Sequence, residues 1–69
     1  MSHVYGTSEI VGSSTKSIDD AINQAVETAA KSIKNLEWFE VTDQRGHIEN
    51  GKVAHFQIMI KVGFRYEPK

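Results

Sequence analysis

Apolar and polar side chains alternate without a break over the last third of the chain. Phe56, Ile58, Ile60, Val62 and Phe64 fall on one face, and His55, Gln57, Met59, Lys61, Gly63 and Arg65 on the other. A period of two is the mark of a strand with one buried face, and it predicts a strand from Lys52 to about Tyr66. The period changes upstream. Ile18, Ile22, Ala25, Val26, Ala29, Ile33 and Leu36 recur at steps of three and four, which predicts one helix from about Ser17 to Asn35. Ser17 is a capping residue type, Asp19 and Asp20 sit where the helix dipole favours negative charge, and Lys31 and Lys34 suit the opposite end.

Two further strands complete the pattern. Val4, Tyr5, Thr7, Ile10 and Val11 are β-formers and predict a first strand from His3 to Val11, ended by the turn residues Gly12-Ser13-Ser14. Glu37 to about Ile48 predicts another. It is joined to the last strand by Glu49-Asn50-Gly51, and Asn-Gly is the favoured pair for a type I′ hairpin turn. Pro68 cannot continue a hydrogen-bonded ladder and closes the last strand.

The order strand, helix, strand, strand implies an α+β fold. The hairpin pairs the last two strands, and the helical crossover makes the first and second run parallel to each other. Placing the last strand between them makes every neighbouring pair antiparallel. The result is a three-stranded antiparallel sheet partly wrapped around one helix, with its other face open.

That open face poses the functional question. In "LEWFEVTDQRGHI", Phe39 and Val41 point to the core, so Trp38 points away from it with Glu40 and Thr42. The only tryptophan of the chain therefore stands on the uncovered side, beside Gln57, Met59, Lys61 and Arg65. Two explanations fit: Trp38 fills a subunit interface, or it faces a ligand. Gln57 offers a donor and an acceptor side by side, which suits the edge of a heteroaromatic ring, and an indole supplies the flat surface on which such a ring stacks. Strict alternation from Trp38 would send Arg45 into the core. A bulge or bend at Gly46 would turn it outward, where it could bond a phosphate, carbonyl or carboxylate, or pair with Asp43 or Glu40.

Size and composition narrow the classes. Sixty-nine residues make a single domain, 1–69, with a marginal core and no cysteine to staple it, so association between copies is expected. A net charge of −1 argues against a polyanion binder, and hence against a nucleic-acid partner. No apolar run approaches the ~20 residues of a membrane span and no signal-peptide pattern opens the chain, so no membrane partner and a cytoplasmic location are expected. His3, His47 and His55 match no metal-ligand spacing. "GSSTKS" lacks the Gly-Lys-Ser/Thr order of a phosphate loop and is explained as loop and cap. No catalytic triad or carboxylate pair is evident, so no enzymatic activity is expected.

With these residues in view, the chain resembles the bacterial dodecins. "WFEV", followed by "RG", and then "FQIMIKVGFR" carry the likeness, which runs from "EIVGSS" to "GFRYE". The resemblance implies a hollow dodecamer that holds flavin pairs between subunits and stores or sequesters them. The ligand it implies is FMN, with riboflavin or FAD as related forms. By the same resemblance Trp38 stacks on the isoalloxazine ring and quenches its excited state, Gln57 pairs with the pyrimidine edge, and Arg45 reaches the flavin or its phosphate, with His47 close by. Some members also bind coenzyme A at a separate contact, for which Tyr5, Lys34 and Arg65 are the candidates. The alternative is a purely structural homo-oligomer, or a coenzyme A shell without a flavin role.

Overall fold

The computed structural model describes residues 3–67. Its elements are strand β1 (Tyr5–Ser14), helix α1 (Ile18–Ala30), strand β2 (Leu36–Glu49) and strand β3 (Lys52–Arg65). The sheet order is β1-β3-β2, with both neighbouring pairs antiparallel. The expected topology is therefore observed, with the last strand in the centre. The stop assigned to Pro68 lies outside the described residues.

Local chemistry explains the elements. The Ser17 hydroxyl accepts from the Asp20 backbone N–H at 3.0 Å and caps α1. Ser14 Oγ accepts from the Lys16 N–H at 2.9 Å and donates to Asp20 Oδ2 at 2.6 Å, so the "SSTKS" segment is a cap network that ties β1 to the helix start. At the hairpin, Asn50 and Gly51 have φ of 54° and 73°, as a type I′ turn requires.

Two boundaries differ from expectation. Strand β1 runs on through Gly12, Ser13 and Ser14, which pair with Ile58, Gln57 and Phe56. Gly12 is there because α1 crosses directly above it: an added Cβ would lie 2.5 Å from Ala21 O and 2.8 Å from Ala25 Cβ. The helix ends at Ala30, well before Asn35. Asn35 takes a left-handed φ of 62° and turns the chain into β2, its side chain donating to Arg65 O at 3.1 Å while its own carbonyl accepts from Arg65 N–H at 3.1 Å. Ile33 and Leu36 thus leave the helical stripe, and Leu36 joins the core from the strand side. Lys31 is the helix C-cap and Lys34 lies beyond it.

The core is small and off-centre. Ala21 and Ala25 of α1 meet Ile58, Ile60 and Val62 of β3, with Ile10, Ile18, Ile22, Val26 and Leu36 around them. The helix lies over β1 and β3 and leaves β2 at its side. Phe39 and Val41, expected in the core, face the helix side but are 48% and 44% exposed. The molecule measures 54 × 20 × 13 Å, because the β2–β3 hairpin extends past the helix. A side of β2 that carries half-bare Phe39 and Val41 is an unfinished interior, and it favours association with further copies.

Candidate functional site

Trp38 is placed by a break in strand pairing. Leu36 pairs with Phe64 and Trp38 with Gly63, so Glu37 is an extra residue at the foot of β2. The indole lies flat over Gly63: a Cβ there would fall inside the van der Waals envelope of Trp38 Cε2, Cζ2 and Cδ2. Tyr5 of β1 meets the indole edge-on, with ring centroids 5.3 Å apart and an interplanar angle of 66°. One face of Trp38 is therefore covered by backbone and one edge by Tyr5. The ring remains 43% exposed on the side of the sheet that α1 does not cover.

Arg45 is on the same open face and a bulge turns it outward, as expected, but the bulge lies at Thr42 and not at Gly46. The register slips at Thr42, between the pairs Val41–Ile60 and Asp43–Met59, and this inverts the alternation for the rest of β2. The Thr42 hydroxyl donates to Met59 O at 3.0 Å and secures the slip. Arg45 then faces Gln57, and its Nε donates to Gln57 Oε1 at 2.7 Å. A guanidinium can only donate, so it holds the amide oxygen and leaves the Gln57 NH2 directed away from it.

His47 and His55 pair across the strands in the next position of that face, their rings stacked at 5.3 Å and 16°. Glu49 approaches His47 Nε2 at 3.4 Å. Among the described residues no group of three His, Asp or Glu side chains converges as a metal site would require.

Two clusters result, and they are far apart. Trp38 pairs with Gly63 while Arg45 pairs with Gln57, six residues along β3, or about 20 Å at ~3.3 Å per residue. The expected pairing of Trp38 with Gln57 does not exist within one chain. A tricyclic ring roughly half that long cannot touch both. If one ligand uses both groups, they come from different copies.

The remaining candidates gather near Trp38. Tyr5 and Arg65 are register partners, and Arg65 is bonded through its backbone to Asn35, next to Lys34. Arg65 Nη1 lies 3.7 Å from Glu37 Oε2, and its Nε is buried without a hydrogen-bond partner among the described residues.

Gly63 was not singled out by sequence reasoning. A signal existed: a glycine interrupting an alternating strand, on the same face as a large aromatic, often marks a close approach.

The donor set fits a planar heterocycle. It comprises a half-exposed aromatic ring, a primary amide with its NH2 outward, and a guanidinium beside that amide.

The Dodecin family profile matches residues 4–67. A dodecin from Thermus thermophilus is 40% identical over 67 residues, covering 97% of each chain. Among solved structures, dodecin from Streptomyces coelicolor is 46% identical with a TM-score of 0.91, covering 97% of this chain and 96% of its own. Dodecin from Streptomyces davaonensis is 40% identical with a TM-score of 0.94, covering 99% of this chain and 100% of its own.

Proposed function

The chain belongs to the dodecin family, and on that premise we propose that it sequesters flavin, FMN first among flavins, as stacked pairs between the subunits of a hollow dodecamer. The observation that carries this reading is the half-exposed indole of Trp38, seated on Gly63 and turned to the side of the sheet that the helix leaves bare.

Each side chain has a task. Trp38 offers its free face to the ring system, and stacking of this kind contributes about 1–3 kcal/mol. Gln57 of another copy directs its NH2 to a carbonyl or ring-nitrogen acceptor at the ring edge, while Arg45 keeps the amide from rotating. Arg45 is also the positive group that meets a phosphate or an electron-rich edge, and His47 lies one cross-strand position further. A bound flavin supplies a light-absorbing, redox-active tricycle, and an indole in van der Waals contact gives its excited state a fast non-emissive decay.

Assembly follows from the same geometry. Phe39, Val41, Ile48 and Val53 are exposed apolar residues of the protruding hairpin, and a closed shell of copies covers them. Nothing in the site arranges an acid and a base around a reaction centre, so the function proposed is binding without turnover. No helix among the described residues is long and apolar enough to cross a membrane.

A second ligand has one favourable observation. Of the coenzyme A candidates, Tyr5 and Arg65 are register partners at one end of the sheet, and Lys34 precedes Asn35, which hydrogen-bonds the Arg65 backbone.

The test is an absorption spectrum of freshly purified protein together with its mass in solution. Flavin bands on a twelve-subunit particle are expected. A colourless particle that stays colourless after incubation with FMN contradicts the reading.

A further inference from the structure

We propose that Gly63 and Tyr5 are positioning residues that fix the height and tilt of the Trp38 indole, and so decide whether a flat ligand can be stacked on it. This deepens the flavin reading and rests on it for the identity of the guest.

Three observations support the assignment. First, the indole occupies the volume that any side chain at Gly63 would take, with three of its ring-fusion and six-ring carbons above that Cα. Gly63 is buried although it lies on the open face of the sheet, because the indole is its cover. A ring resting on backbone in this way lies parallel to the sheet and presents its other face outward.

Second, Tyr5 blocks sliding. Its T-shaped contact at 5.3 Å closes the indole edge from the β1 side, and aromatic pairs of this geometry attract beyond simple burial. Tyr5 is itself held in register opposite Arg65, while Thr7, its neighbour on the open face of β1, pairs with Gly63. Third, Gly63 has no backbone need to be glycine. It pairs in unbroken register with Thr7, the irregularity opposite it falls on Glu37 of β2, and the positive-φ residues among those described are Asn35, Asn50 and Gly51. The requirement is space for the indole.

A methyl group at this position therefore displaces the ring outward or rotates it on edge. Either movement removes the flat face while leaving the aromatic residue in place. In the proposed shell a copy of Trp38 related by a two-fold rotation moves in the same way, so a slot closed by the two indoles narrows from both sides.

The experiment is a double-mutant cycle read by FMN affinity, particle mass and the near-UV circular dichroism of flavin-free protein. Gly63→Ala should retain the assembled mass, change the Tyr5–Trp38 dichroism and weaken FMN binding by about tenfold or more, the share of affinity one stacked ring carries. In a Trp38→Ala background the same Gly63→Ala change should cost nothing further. Wild-type affinity in Gly63→Ala overturns the proposal, and so does an equal loss in both backgrounds. Should Gly63→Ala fail to assemble, Tyr5→Leu takes its place: lower Trp38 anisotropy and weaker FMN binding support the clamp, and no change in either overturns it. If wild-type protein binds no flavin, the flavin reading fails separately, and the dichroism of flavin-free Gly63→Ala still decides whether Gly63 positions the indole.

Discussion

Arg45 and Gln57 are joined across β2 and β3 by a 2.7 Å hydrogen bond from Nε to Oε1. The bond fixes which end of the amide meets a ligand. It also makes the two residues one functional unit, because each sets the orientation of the other.

That unity predicts non-additive mutants. Arg45→Ala frees the amide to rotate, and Gln57→Leu removes the donors outright. Each should weaken FMN binding by about 1–2 kcal/mol, the worth of a hydrogen bond with its partner misplaced. The double variant should lose less than the sum, with a coupling of about 0.5–3 kcal/mol, measurable by calorimetric titration.

The slip at Thr42 is what puts Arg45 there. Its hydroxyl bonds Met59 O at 3.0 Å. Thr42→Val removes that bond at nearly constant shape and should cost about 1 kcal/mol of stability. The same variant should bring flavin binding close to that of Arg45→Ala, even though Thr42 touches no ligand. Denaturant unfolding and titration together separate the two effects.

These cases show what the sequence could disclose. The alternation from Phe56 to Phe64 names a strand and its faces, because a central strand under a helix has one face dry. The Asn50-Gly51 pair names the hairpin, because few residues accept two positive φ values in succession. Period counting cannot see a bulge, so it sent Arg45 to the wrong face and then needed Gly46 to bring it back. It also could not see where α1 stops. Ile33 and Leu36 continue the helical spacing, but Asn35 satisfies Arg65 better as a left-handed turn than as a helical residue. The distance between Trp38 and Gln57 was hidden for a different reason. Sharing a face says nothing about position along it, and six residues of β3 separate them.

Gly12 makes a prediction about the core. The close approach of Ala21 and Ala25 leaves no room for a side chain at this point of β1. Gly12→Val should force helix and sheet apart and cost about 1–3 kcal/mol, the usual range for overpacking. Thermal unfolding of the assembled particle reads the change.

The helix start predicts acid sensitivity. Asp20 Oδ2 accepts from Ser14 Oγ and from Gln24 Nε2, each at 2.6 Å, and these bonds hold its carboxyl below the usual range, with a smaller contribution from Lys16. A carboxyl whose folded pKa is depressed contributes stability above its unfolded pKa, and that contribution is lost as pH falls through the folded value. The loss therefore begins as pH drops below about 4, the ordinary aspartate range, and continues downward. Asp20→Asn should be less stable than wild type at neutral pH and should flatten the dependence of stability on pH in that acid window. Urea midpoints collected across the window check both points.

Trp38→Ala removes the stacking surface and should weaken FMN binding by about 1–3 kcal/mol, with flavin emission largely restored in whatever complex remains. Trp38→Phe keeps a smaller ring over Gly63 and should fall between the two. Sedimentation of both variants should show the assembled particle, since Trp38 is half-exposed within its own chain and the apolar residues Phe39, Val41, Ile48 and Val53 lie elsewhere.

The central claim is that the indole of Trp38 receives a flavin ring, and titration of the flavin-free particle with FMN tests it most directly. At micromolar flavin, flavin emission and Trp38 emission should fall together and saturate at the same molar ratio of ligand to chain. Constant emission from both fluorophores across that range would contradict the account.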